Sequence, residues 1–117
     1  MAIQWSCEGD IIEVNVSGAI VKPEFDKIQS EMEPLIQEGN KKILVILTDF
    51  EGWVDGSGDW SDISFGQRND QYIQKMAFVG DLKWKMEIEM FTMKGFRKFP
   101  IEYFLSGQED FARAWLE

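Results

Sequence analysis

Two period-2 runs open the chain. Ile3, Trp5 and Cys7 alternate with Gln4, Ser6 and Glu8, and Ile12, Val14 and Val16 alternate with Glu13, Asn15 and Ser17. With Gly9-Asp10 between them, they predict a β-hairpin that buries one face. Cys7 falls on the apolar side, as a small core residue. Phe25, Ile28, Met32, Leu35 and Ile36 then recur at helical spacing, behind Pro23 in the first turn and ahead of a Gly39-Asn40 stop. Pro34 is expected to kink or shorten that helix. Ile43 to Leu47 is apolar without alternation, the pattern of a central strand covered on both sides.

A strand-turn-helix unit is written three times from there on. Lys42 to Phe50 opens onto Gly52, Gly56 and Gly58. Met76 to Val79 closes at Gly80-Asp81, and Phe99 to Leu105 closes at Ser106-Gly107. Apolar runs alternating with helical patterns imply βα units, because a parallel connection needs a crossover. The fold class is α/β: a mixed sheet of about five strands, an N-terminal hairpin followed by βα units, with helices packed on it. Ser106 to Glu109 forms a capping-box pattern for a last helix that buries Phe111, Ala112, Trp115 and Leu116. Residues 51–72 are the least regular, with a helix expected from near Asp59 and Trp60 and Ile63 turned to the core.

The segment after Gly80-Asp81 carries a conflict. Leu82, Trp84, Met86, Ile88 and Met90 alternate with Lys83, Lys85, Glu87 and Glu89, a strand period, yet Lys, Glu and Met favour helix. The crossover decides for helix. Wound that way, the segment has two opposed apolar stripes. Leu82, Met86, Met90 and Met93 form the first, which can cover the sheet. Trp84, Ile88 and Phe91 form the second, left to meet another element, a ligand or a partner.

Composition narrows the function more than it defines it. A chain of 117 residues, 44% hydrophobic and 28% charged, fits one folded domain over residues 1–117. No apolar stretch approaches the roughly 20 residues of an integral membrane segment, and the N-terminus lacks a signal-peptide pattern. A cytoplasmic location is expected, in keeping with a lone cysteine. Residues 1–70 hold 14 acids and 5 bases, and residues 71–117 hold 7 of each. Nucleic acid and anionic membranes should be repelled by the first part, and the cluster Lys94, Arg97 and Lys98 is small. The absence of histidine removes the usual neutral-pH base and nucleophile pairs, so no enzymatic activity is expected.

Ile43 to Phe50 leading to Gly52-Trp53, then Met76-Ala77-Phe78-Val79-Gly80-Asp81-Leu82-Lys83-Trp84 and the late Tyr103-Phe104, resemble the bacterial SpoIIAA-like family. These are small stand-alone relatives of STAS domains, with a general architecture shared with CRAL-TRIO lipid-carrying domains. The resemblance covers nearly the whole chain, and Val79 to Trp84 is its most specific part. It implies a curved mixed sheet with helices on it and no established enzymatic activity. STAS anti-sigma-factor antagonists carry a phosphorylatable serine in an Asp-Ser-Ser-Gly segment. The nearest stretch here is Asp55-Gly56-Ser57-Gly58, with Gly56 in place of one serine, which makes Ser57 the position to consider for modification.

The acids Asp49, Glu51, Asp55, Asp59 and Asp62 gather where α/β sheets usually place ligands. Asp55, Ser57 and Asp59 match the first ligands of a calcium loop, but Trp60 and Gly66 stand where its glycine and bidentate glutamate belong. No metal or cofactor is expected. Trp53, Trp60, Trp84, Ile88 and Phe91 are the binding candidates, Trp84, Ile88 and Phe91 as a contact surface modulated by the 51–62 loop. The functional expectation is a regulatory or interaction domain with a protein partner or its own copy in a homodimer. The alternative is a carrier of a small apolar or lipid-like ligand in a pocket between that helix and the sheet.

Overall fold

A computed structural model describes residues 2–117. Strands β1 (Ile3–Glu8) and β2 (Ile11–Ile20) form the hairpin, with Ile3 opposite Val16 and Trp5 opposite Val14. The chain continues through α1 (Lys22–Ile36), β3 (Lys41–Trp53), α2 (Ser64–Asn69), β4 (Ile73–Gly80), α3 (Lys85–Phe91), β5 (Ile101–Leu105) and α4 (Glu109–Leu116). The five strands lie in the order β1-β2-β3-β4-β5, and each pairing from β2 onward is parallel.

Register sorts the apolar residues onto two faces. Val14, Val45, Phe78 and Tyr103 align across the sheet, as do Ile12, Ile43, Met76 and Ile101. This first face packs with Ile28, Met32 and Ile36 of α1 and Ile88 of α3. On the second face Leu44, Ala77 and Val79 are sealed by Ala112 and Leu116 of α4. The unbroken apolar run of β3 follows, since that strand is covered from both sides. Beyond the reach of α4, the outward residues of β1 and β2 are polar: Gln4, Ser6, Asn15 and Ser17 are exposed. Arg113 of α4 pairs with Glu13 of β2. The Asn15 side chain first, and Arg113 second, hold the Glu13 carboxyl below its ordinary range.

Several expectations need correction: Phe111 and Ile63 are exposed rather than buried, and α4 follows Gln108 without the side-chain cap expected from Ser106. Cys7 is exposed, its thiol donating to the Gly9 carbonyl at 3.5 Å. Alternation put it on the right face, but β1 is an edge strand whose cover ends near Trp5, where the indole donates to Glu31 of α1. Helix α1 runs through Pro34 and ends only after Ile36. No helix starts at Asp59; the Asp59 and Asp62 carboxylates instead accept the backbone N–H groups of Ser61 and Ser64, a local bonding that competes with helix, and α2 begins at Ser64. Finally, β3 runs on to Trp53. Ser17 pairs with Thr48, Gly18 with Phe50 and Ala19 with Gly52, so Asp49 and Glu51 are bulged out, beside positive φ at Asp49 and Gly52.

The winding of residues 82–93 is helical as expected, a short 3-10 turn (Leu82–Trp84) leading into α3. Its orientation is the reverse. Ile88 is buried and Trp84 half-buried, while Leu82, Met86, Met90 and Met93 face solvent.

Candidate functional site: an apolar cavity under an aromatic wall

The two segments most specific to the sequence pattern meet at the ends of β3 and β4. Gly52 has φ +92°, and a Cβ there would lie 3.1 Å from the Trp84 ring, so the missing side chain is the seat of that indole. Gly80 makes room in the same way. A Cβ on it would lie 2.7 Å from the Tyr103 hydroxyl, which donates to the Asp81 carbonyl at 2.6 Å. Burial, then the nearby Asp81 charge, pushes the Tyr103 phenol up to about 12, so it stays a donor. The Asp81 carboxylate accepts the Lys83 N–H at 2.9 Å and starts the turn that carries Trp84 inward.

Six rings become one wall. Trp84 packs on Phe50 with centroids 4.8 Å apart, and Phe50 on Trp53 at 5.3 Å. Trp53 meets Phe91 at 4.9 Å, Phe91 meets Phe25 at 6.0 Å, and Phe25 meets Trp60 at 5.4 Å. All of these pairs are tilted or edge-on, the edge-on arrangement being one that ring quadrupoles favour. Trp60 is fixed by its indole N–H, which donates to the Val54 carbonyl at 3.1 Å. The indole nitrogens of Trp53 and Trp84 are buried without an oxygen or nitrogen partner. Aromatic neighbours are what surround them.

Beside this wall lies a cavity of about 410 Å³ between α1, α3 and the first face of the sheet. Its floor is apolar, with Val14, Val16, Ile43, Leu47 and Phe78 from the strands and Ile28 and Met32 from α1. Exposed Ile63, Met93 and Phe96 mark its mouth, together with Gln67, Arg97 and Lys98. Arg97 is bound on both sides. It donates twice to Asp70 at 2.6 Å and once to the Thr92 carbonyl at 3.0 Å, tying the 92–98 loop to the 3-10 turn that precedes β4.

Four of the five expected binding residues, Trp53, Trp60, Ile88 and Phe91, line this one cavity. Trp84 stands behind them, against Phe50 and Trp53. Of the expected contact surface, Ile88 is only 3% exposed and Trp84 is half-buried against the chain's own core, while Phe91 lines the cavity and stays 36% exposed. Phe25, Phe50 and Met76 belong to the wall and lining but read from the sequence only as core. Gly52 and Gly80, each one residue from a motif aromatic or acid, were the available signal.

Ser57 has a local task. Its hydroxyl donates to the Val54 carbonyl at 2.7 Å and accepts the Lys22 N–H at 3.0 Å. Val21, the residue preceding α1, offers no side-chain cap, so Ser57 supplies one from 35 residues away in sequence. Ser57→Ala is expected to lower stability by about 1 kcal/mol, read as a shift in the urea midpoint. An unchanged midpoint would show the cap to be idle.

The acids do not assemble into a metal site. Among the described residues, no three acidic side chains are placed to share an ion. An open hollow of about 550 Å³ at the ends of β3, β4 and α4's start is lined by Asp49, Glu109 and Asp110 with no cation among its lining residues.

Comparison with known proteins agrees with this architecture. A solved structure of an uncharacterised DUF3478-family protein with a SpoIIAA-like fold, from Shewanella loihica PV-4, superposes with a TM-score of 0.72. It is 15% identical, and the match covers 99% of this chain and 93% of that one, a likeness of fold. No curated protein matches the sequence. The family model described as SpoIIAA-like matches residues 11–117, and the chain belongs to the SpoIIAA-like family.

Proposed function

We propose that this SpoIIAA-like domain binds a small apolar or amphipathic molecule in the cavity beneath α1 and α3, without transforming it. The cavity itself carries the reading. Protein interiors pack as densely as organic crystals and leave few voids larger than a water molecule. A space of about 410 Å³ falls within the roughly 300–1,000 Å³ of small-molecule sites. An apolar hollow of roughly 150 Å³ is enough to take up benzene. The aromatic wall supplies large, rigid contact area, and the polar groups sit at the mouth, where the head of an amphiphile would meet water. The partner-contact role expected of Ile88 and Phe91 passes to this internal role, because both side chains line the cavity.

Native mass spectrometry of protein purified from cells should show a co-purified mass. The stripped protein should bind N-phenyl-1-naphthylamine in a one-to-one ratio. Val45 lines the cavity from the middle of β3. Val45→Phe fills part of the space and is expected to weaken the probe about tenfold, a difference of about 1.4 kcal/mol, without lowering the melting temperature. Absence of both co-purified mass and probe uptake would remove the proposal.

A further inference from the structure

The stripe of α3 that faces water is apolar, as is the one that faces in. Leu82 is 62% exposed, Met86 and Met90 are each 72%, and Phe96 in the following loop is 86%. Met93 and Phe96 also line the cavity, so this surface runs into the mouth. Contiguous exposed apolar side chains mark interaction surfaces. The charge around them differs from the rest of the chain. Residues 82–99 carry five cations and two carboxylates, net +3 in a chain of net −9. Glu89 is shared by Lys85 and Lys94, and two carboxylates from outside the segment offset part of its charge, Glu102 on Lys94 and Asp70 on Arg97. Lys83 and Lys98 have no ion-pair partner among the described residues and flank the patch at both ends.

Building on the ligand reading above, we infer that this face docks on an anionic lipid surface and opens the cavity toward it. Apolar side chains projecting between free lysines are the chemistry of an interfacial helix. Repulsion expected from the net charge becomes orientation: the acidic remainder of the chain turns away from a negative surface and the 82–99 segment turns toward it. An apolar ligand then passes between bilayer and cavity without crossing water. A second copy fits this face less well, since a two-fold contact sets one cationic segment against the other.

Flotation with phosphatidylcholine vesicles, with and without phosphatidylglycerol, tests the inference on the full chain. Binding to the anionic vesicles is expected to exceed binding to the neutral ones by about tenfold and to fall as salt is raised. Met86→Ser with Met90→Ser should abolish it with the melting temperature unchanged, because both side chains already lie in water. Three results overturn the inference. The first is a wild type that stays in solution with both vesicle types while still taking up N-phenyl-1-naphthylamine, which leaves the ligand reading intact. The second is a double variant that floats like the wild type. The third is a wild-type dimer that stays off the vesicles and that the double variant converts to a monomer, which assigns the face to a second copy. Vesicle binding with no probe uptake overturns the ligand reading instead, and with it the transfer.

Discussion

Trp84→Ala is expected to lower the free energy of unfolding by about 3 kcal/mol, at the lower end for a large-to-small aromatic change because the residue is only half-buried. The indole fills the seat left by Gly52 and packs edge-on against Phe50 and Trp53. Its removal leaves a gap that the strand ends cannot close, since Phe50 and Trp53 are held in β3 by pairing with Gly18 and Ile20. Trp84→Phe should cost much less, about 1 kcal/mol, because it keeps a ring in the seat and deletes a buried N–H that has no partner. Urea unfolding of both variants checks the pair. A loss below about 1 kcal/mol for the alanine variant would mean that the wall stands without this ring.

Gly80→Ala is expected to cost about 2–3 kcal/mol by overpacking. The new methyl would lie 2.7 Å from the Tyr103 hydroxyl and about 3 Å from the Leu47 side chain. The hydroxyl cannot swing aside freely, because it donates to the Asp81 carbonyl. Tyr103→Phe in the same background removes the nearer of the two clashes. The double variant should therefore be less destabilised than the sum of the single ones, with a coupling of about 1 kcal/mol. Strict additivity would show that Leu47, not Tyr103, sets the limit.

Much of the architecture was legible because burial on one or two faces leaves different periods in a strand. The hairpin announced itself by alternation at Ile12, Val14 and Val16, and the central strand by the lack of it at Ile43 to Leu47. Other features depend on partners that the sequence does not place. Periodicity gave α3 two apolar stripes but held no information on which would face in; the hole at Gly52, contributed by another strand, seats Trp84 and sets the phase. Cys7 lay on the correct face of a strand that outruns its cover. The helix expected from near Asp59 failed to start there because Asp59 and Asp62 bond their own backbone neighbours. For the site, the residue types were recognisable and their common destination was not. Trp53 reaches the cavity from the last position of β3 and Trp60 from the loop beyond it, Ile88 and Phe91 from a helix nearly thirty residues later.

The plain spatial order of the strands explains where the cavity sits. A doubly wound sheet reverses direction partway across, and neighbouring connections part there to leave a crevice that ligands use. This sheet never reverses, since each strand lies beside its predecessor and α1 and α3 pack on the same side. No such switch point exists, and an acid-lined hollow lies toward the carboxyl end of the sheet. Room for a guest must come from within the layers, by lifting helices off the strands, and bulky rings are the props that lift them.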